Sequence, residues 1–314
     1  MRNRKNKTEL IIQILIVSAI IVLILSIVFM VKKWGKGQES DYDPDEVTTE
    51  YDTEPTDYVL PLSASEVEGK EADDKITILT LGNSPFADDY PNNNLAAAFS
   101  EVYDADVING GIEGSYITCK DSELGDHPED GVSLYNIAYA LTTGDYTIPD
   151  KTAADVSDQA TAALDTLKNT DLSKVDAIFI MYDLEDYVDH RPLGSESDTD
   201  VTCIYGAIKE SIKLIREAYP YIRVVYLSQP ASGKTIDDFY VDGDLHNIGE
   251  GLLSDYVTFE LTATANASAS FVDIYYGAIN VDQRDEFIVD DYHINDAGAA
   301  SVAERVHKLI ELTP

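Results

Sequence analysis

Buried strands and amphipathic helices alternate along most of this chain, as the order of its apolar and polar residues indicates. Five apolar runs are nearly continuous, which is typical of parallel strands covered on both faces. They lie at residues 76–81, 105–108, 177–182, 222–227 and 271–274. Segments with helical periodicity follow them, at residues 92–103, 153–167, 204–218, 245–262 and 296–312. This alternation predicts one α/β domain over residues 75–314, with helices on both faces of a central five-stranded parallel sheet.

A long segment rich in loop-forming residues interrupts this alternation. Residues 118–151 contain one short helical pattern, at 132–141. In open parallel sheets, ligand sites lie beyond the carboxyl ends of the strands. We therefore expect chemistry in the loops after residues 81, 108 and 182, and we expect the long segment to shape access to it.

The first 74 residues follow a different pattern. Residues 1–9 are a basic tail, and residues 10–31 carry no charge and are long enough to cross a hydrocarbon layer. A cleavable signal peptide is the alternative, but the apolar run has no small-residue cleavage pattern, which favours an uncleaved signal anchor. Residues 32–74 are acidic and lack apolar periodicity, so we expect a disordered linker. These features predict a single-pass membrane protein with its C-terminal domain outside the cytoplasm.

The acidic balance of the chain restricts its partners. The formal net charge is −36, and no basic stripe is present to meet phosphates, which excludes nucleic acid as a default partner. A solvated acidic surface explains most of this charge. Two cysteines, Cys119 and Cys203, could pair outside the cell, but their spacing does not indicate whether they come close together.

Two distant fragments suggest a hydrolytic site. Gly82, Asn83 and Ser84 follow the first predicted strand, and the glycine allows a sharp turn that presents the serine hydroxyl above the sheet. Near the C-terminus, Asp290 precedes His293 by three residues, a spacing that lets a carboxylate hold one ring nitrogen of an imidazole. A serine needs such a base to become a nucleophile. After the second strand, Asn109, Gly111 and Gly114 offer backbone N–H groups to a substrate oxygen.

Together these motifs resemble the SGNH/GDSL hydrolase family over about residues 75–312. The resemblance implies a three-layer α/β/α sandwich of flavodoxin-like type and an esterase or carbohydrate O-deacetylase that needs no metal or cofactor. It makes Ser84 the nucleophile, His293 the base and Asp290 the residue that orients it. The backbone N–H groups of Ser84 and Gly111 would bind the oxyanion. The implied substrate is a small-molecule ester or an acetylated glycan of a cell envelope.

The chain departs from this family pattern at two places. Asn83 stands where the family has aspartate before the serine, and in the third block Asp183 and Glu185 replace the glycine and the oxyanion-binding asparagine. An ionised Glu185 cannot donate a hydrogen bond, and one lost donor costs about 10²–10³ in rate; a protonated carboxyl could still donate. The alternative is therefore a degenerate member that binds an envelope glycan or a partner protein without hydrolysis.

Metal binding has weaker support in the sequence. The other histidines have no ligand spacing to one another. The acids around Asp183 and Glu185 could bind a hard cation such as calcium, but the segment lacks an EF-hand loop pattern.

Overall fold

The computed structural model describes residues 54–68, 70, 74–90, 92–120 and 127–313. Its main sheet has five parallel strands in the order β2-β1-β3-β4-β7, and a separate antiparallel hairpin contains β5 and β6. The strands are β1 (Thr77–Gly82), β2 (Asp106–Gly111), β3 (Ala177–Met181), β4 (Arg223–Leu227), β5 (Gly233–Ile236), β6 (Phe239–Asp242) and β7 (Ser270–Val272). The predicted five-stranded parallel sheet is confirmed.

Helices cover both faces of the sheet. In chain order they are α1 (Ala64–Val67), α2 (Ser84–Ala87), α3 (Asn94–Tyr103), α4 (Leu134–Thr143), α5 (Thr147–Val156), α6 (Asp158–Lys168), α7 (Glu185–Val188), α8 (Ile204–Ala218), α9 (Leu253–Asn266), α10 (Ile274–Gly277), α11 (Arg284–Phe287) and α12 (Asp296–Leu309). Short 3₁₀ turns occupy Pro128–Val132 and Leu172–Lys174.

Successive residues of a strand point to opposite faces, and this divides the core into two layers. On β3, Ile178 and Ile180 pack in a cluster with α4, α6, α8 and α9. Phe179 and Met181 pack on the other face with α3 and α12. All of β3 is buried, which explains its continuous apolar sequence. The fold is therefore a three-layer α/β sandwich.

Three predicted elements differ from the structure. The helix expected at 153–167 is two helices, α5 and α6, because Ser157 adopts an extended backbone and its Oγ accepts the Ala160 N–H at 3.0 Å as an N-cap. The helix expected at 245–262 begins only at Leu253, after the unpredicted β5–β6 hairpin. The last strand ends at Val272, because Asp273 caps α10 through the Tyr276 N–H.

Part of the predicted linker belongs to the domain. Tyr58 pairs with Phe271 at the edge of β7 through backbone hydrogen bonds of 2.9 and 2.7 Å. Both carboxylate oxygens of Asp57 accept from Arg305, at 2.9 and 2.7 Å. The linker prediction is therefore wrong for this segment. Edge pairing uses backbone groups, which leave no apolar period in the sequence.

The predicted anchor at 10–31 and most of the acidic linker lie outside the described residues. Within the part of the chain that the structure describes, no helix has the length and apolar composition needed to cross a bilayer.

Candidate active site

The register of the sheet brings three loops together at its carboxyl edge. Gly82 at the end of β1 pairs with Gly111 at the end of β2 and with Met181 at the end of β3. A Cβ on Gly82 would lie only 1.8 Å from the Met181 carbonyl oxygen, so this corner requires glycine. Ser84 follows as the first residue of α2, where backbone N–H groups have no intrahelical acceptor. Its side chain is largely buried, with 9% exposure.

The loop before α12 holds the histidine through its local aspartate. Asp290 Oδ2 lies 2.8 Å from His293 Nδ1, and Asp290 Oδ1 accepts the His293 N–H at 3.0 Å. The carboxylate of the neighbouring Asp291 turns away from the imidazole. It accepts the N–H and the hydroxyl of Thr235 on β5, at 2.8 and 2.6 Å. The structure thus places Asp290, rather than Asp291, against the imidazole.

Ser84 and His293 line the same cleft, whose volume is about 260 Å³. Asp88, at the end of α2, also lines it, and its Oδ2 lies 3.9 Å from His293 Nε2. Burial alone would lower the pKa of His293, but the hydrogen bond to Asp290 and the negative charges of Asp88, Asp290 and Asp183 outweigh it and raise the pKa. The imidazole is therefore a stronger base than an ordinary histidine.

Asp183 is the site residue whose contacts the sequence did not reveal. Ser84 Oγ donates a hydrogen bond to Asp183 Oδ2, and Asn83 Nδ2 donates to Asp183 Oδ1 at 2.6 Å. The Asp183 N–H returns a bond to Asn83 Oδ1 at 2.9 Å. Burial raises the pKa of the Asp183 carboxyl to about 7, and the nearby charge of Glu185 adds to this increase against the opposing bond from Ser84. The sequence did carry a signal for this contact, because positions 83 and 183 both depart from the family pattern.

The remaining candidates for an oxyanion hole are partly engaged. The Gly111 N–H donates to Asn109 Oδ1 at 3.0 Å, so it must share or release that bond to bind an oxyanion. Glu185 begins α7, and its half-buried carboxylate lies 3.4 Å from the Tyr292 hydroxyl, which donates to it. The Ser84 N–H therefore remains the most direct donor of the predicted set.

For an esterase of the resembled type, replacing Glu185 with asparagine is expected to raise the rate of ester hydrolysis. The amide would donate where a carboxylate only accepts, and it would remove a negative charge beside the developing oxyanion. We expect kcat/KM on an aryl acetate to rise at least about tenfold. Glu113→Gln, which removes an exposed acid of the β2 loop, is the control. An unchanged rate in Glu185→Asn would mean that position 185 does not face the oxyanion.

The two cysteines and the acidic groups were the other candidates that the sequence offered for a disulfide or a metal site. Cys203 Sγ donates to the Asp200 carbonyl oxygen at 3.1 Å, and Cys119 Sγ accepts from Asn136 Nδ2 at 3.6 Å. Among the described residues, no group of three or more histidines, cysteines and acids has a geometry suited to a metal ion.

Comparisons with known proteins show the fold. No family model matches the chain, and no curated protein sequence is similar to it. A solved protein from Lactobacillus plantarum gives a TM-score of 0.51 at 19% identity, over 76% of this chain and 97% of that one. A second solved structure gives 0.52 at 20% identity, over 75% and 95%. A possible lipase from Chitinophaga pinensis gives 0.49 at 14% identity, over 74% and 97%. The first two share the three-layer α/β architecture.

Proposed function

We propose that this chain is a serine ester hydrolase of the SGNH/GDSL type that removes small acyl groups, such as acetyl from a carbohydrate. One observation carries the proposal: the Ser84 hydroxyl and the Asp290-held His293 line one cleft at the carboxyl edge of the sheet. In such a cleft, Ser84 attacks the ester carbonyl, His293 serves as a proton-transfer group and the Ser84 N–H binds the oxyanion.

The size of the cleft favours a small acyl group. Its volume of about 260 Å³ is at the lower end of ligand pockets, which commonly measure about 300–1,000 Å³. Its walls combine polar side chains, such as Asp88 and Asn94, with apolar ones, such as Leu95 and Val289, which suits a short acyl group on a polar carrier such as a sugar. We further propose, from residues 10–31 and the acidic linker, that the domain is anchored to a membrane and faces away from the cytoplasm.

Two features favour a second candidate function, the binding of a glycan or partner without hydrolysis. Asp183 accepts a hydrogen bond from the Ser84 hydroxyl, and Glu185, at the start of α7, stands where the resembled family has its oxyanion-binding asparagine. A carboxylate at either position opposes the build-up of negative charge.

A fluorophosphonate probe separates the two functions. We expect the full-length protein to be labelled and to hydrolyse an aryl acetate in assays that span about pH 5 to pH 9, whereas Ser84→Ala should do neither. Ser115→Ala is the matched control, because its buried hydroxyl donates to the Ile112 carbonyl oxygen at 2.8 Å; it should label normally. No labelling and no hydrolysis by the unmodified protein would favour the binding function.

A further inference from the structure

Position 183 has a carboxylate where the resembled family has glycine, and position 83 has an amide where the family has a carboxylate. The two side chains form a reciprocal pair, in which Asn83 Nδ2 donates to Asp183 Oδ1 at 2.6 Å and the Asp183 N–H donates to Asn83 Oδ1 at 2.9 Å. Two buried carboxylates at this distance would repel each other. The exchange therefore retains one carboxylate at this corner and moves it from β1 to β3.

The relocated carboxylate is aimed at the nucleophile. Asp183 is 5% exposed, and its Oδ1 also accepts the Glu185 N–H at 3.2 Å. Its Oδ2 accepts the hydrogen bond that the Ser84 hydroxyl donates. His293 instead places its Nδ1 on Asp290 and its Nε2 3.9 Å from Asp88. A nucleophile needs a hydrogen bond to its base. In this arrangement, the Ser84 hydroxyl makes that bond to Asp183.

We propose that Asp183 is the catalytic base that takes the proton of Ser84, and that His293 acts on the leaving group and on water. This inference rests on the proposed function. When Ser84 Oγ bonds to the ester carbonyl carbon, its proton passes to Asp183, and the carbonyl π electrons move to oxygen. The corner then holds a neutral carboxylic acid and one oxyanion, so its net charge stays at −1. Repulsion between Asp183 and the oxyanion is thereby avoided.

The remaining steps balance without another reactant. The tetrahedral intermediate collapses, the bond to the alcohol breaks, and protonated His293 supplies the alcohol with its proton. Neutral His293 then accepts a proton from the water that attacks the acyl-enzyme. Collapse of the second intermediate releases the acid, and Ser84 recovers its proton from Asp183. Both residues return to their starting states after one turnover.

The charged groups around Asp183 suit a base that works near neutral pH. Burial raises the pKa of Asp183, and the charge of Glu185 on α7 adds to this increase, while the hydrogen bonds from Ser84 and Asn83 oppose it. His293 senses the charge of Asp183 together with those of Asp88 and Asp290. A base whose proton affinity is matched to the working pH gives the most effective proton transfer.

Fluorophosphonate kinetics distinguish the two possible bases, because the departing fluoride needs no proton. We expect Asp183→Asn, which keeps the size and the pairing with Asn83, to react at least about 10²-fold more slowly than the unmodified protein. His293→Ala should react within about threefold of it, although ester turnover is lost. The reverse pattern would overturn this inference and leave the proposed function intact. If the unmodified protein does not react, the proposed function fails and this inference fails with it.

Chemical rescue gives a second readout that a structural role would not produce. Asp183→Gly restores the family residue and leaves space for a small carboxylate, so we expect slow reaction that formate accelerates, and no acceleration in Asp183→Asn. Faster reaction in Asp183→Gly alone would show that Asp183 only restrains Ser84, and would end the inference. Asp176→Asn is the control and should label at the normal rate. Asp176 is a buried carboxylate that precedes β3, at the end of the strand away from the cleft, and it accepts the Thr77 N–H at 2.8 Å.

Discussion

Arg191→Leu is expected to destabilise the domain by about 3–5 kcal/mol, because it removes one partner of a fully buried ion pair. Arg191 Nη1 lies 2.9 Å from Asp130 Oδ1, and both side chains have 0% exposure. Its Nε lies 2.7 Å from Asp189 Oδ2, and the guanidinium stacks 4.1 Å from the Tyr116 ring centroid. Without the arginine, the Asp130 charge loses this partner in a site that water does not reach.

The loss matters for the site because of what this pair connects. Asp130 lies in the long loop-rich segment at residues 118–151 and Tyr116 lies just before it, whereas Arg191 follows α7. Asp186 on α7 reinforces the connection, since its carboxylate accepts the Ile117 N–H at 2.7 Å and the Thr118 hydroxyl at 2.7 Å. The buried pair therefore holds the segment at residues 118–151 against the end of the short helix that carries Glu185.

Urea denaturation of the two arginine variants measures the effect. Arg284 is the matched control, because its Nη1 lies 2.8 Å from Asp242 Oδ2 and its guanidinium 4.4 Å from the Tyr240 ring, but the pair is partly exposed. Arg284→Leu should cost about 1 kcal/mol or less. Adding Asp130→Asn to Arg191→Leu should recover part of the loss, since it removes the buried charge that the arginine balanced. Equal losses for Arg191→Leu and Arg284→Leu would contradict the prediction.

His293→Ala should reduce kcat on an aryl acetate by about 10²–10⁴, the usual contribution of a positioned acid–base group. His293 is the imidazole of the cleft, and no other side chain that lines it combines its basicity with an oriented ring. His246→Ala, which removes an exposed imidazole near the β5–β6 hairpin, should turn over normally. A smaller loss in His293→Ala than in His246→Ala would remove His293 from the mechanism.

The pH dependence of kcat provides the accompanying test. Deacylation needs neutral His293, so activity should fall as the pH drops through the pKa of this imidazole. Burial would lower that pKa, but the hydrogen bond to Asp290 and the charges of Asp88 and Asp290 raise it above its ordinary value of about 6.5, whereas Asp183 is protonated in the acyl-enzyme and adds no charge. The midpoint should therefore lie above the usual histidine range. Asp88→Asn removes a carboxylate 3.9 Å from Nε2, so it should move the midpoint to lower pH; an upward shift would refute this account.

Several features of the site could be read from local sequence. A continuous apolar run predicts a strand buried on both faces, and β1 and β3 lie within one or two residues of their expected positions. The spacing of Asp290 and His293 predicts a carboxylate beside an imidazole, because a tight loop brings residues three apart into hydrogen-bond reach. The order of the three motifs predicted their arrival at one edge, since parallel strands align their carboxyl ends.

Other features depend on contacts that no local pattern records. Asp57 accepts a hydrogen bond from Arg305, which lies 248 positions further along the chain. Tyr58 completes the edge of β7 through backbone groups alone. The anchor and the orientation in a membrane remain predictions from sequence.

Local sequence was enough to predict five parallel strands alternating with helices, and a serine and a histidine in loops at the same edge of the sheet, because apolar period and turn residues act over short distances. The carboxylate that Ser84 meets, in contrast, follows from the folded arrangement of the strands. Ser84 and Asp183 are 99 positions apart and touch because β1 and β3 are neighbours in the sheet. Packing and strand register, rather than spacing along the chain, thus set the protonation chemistry of this cleft.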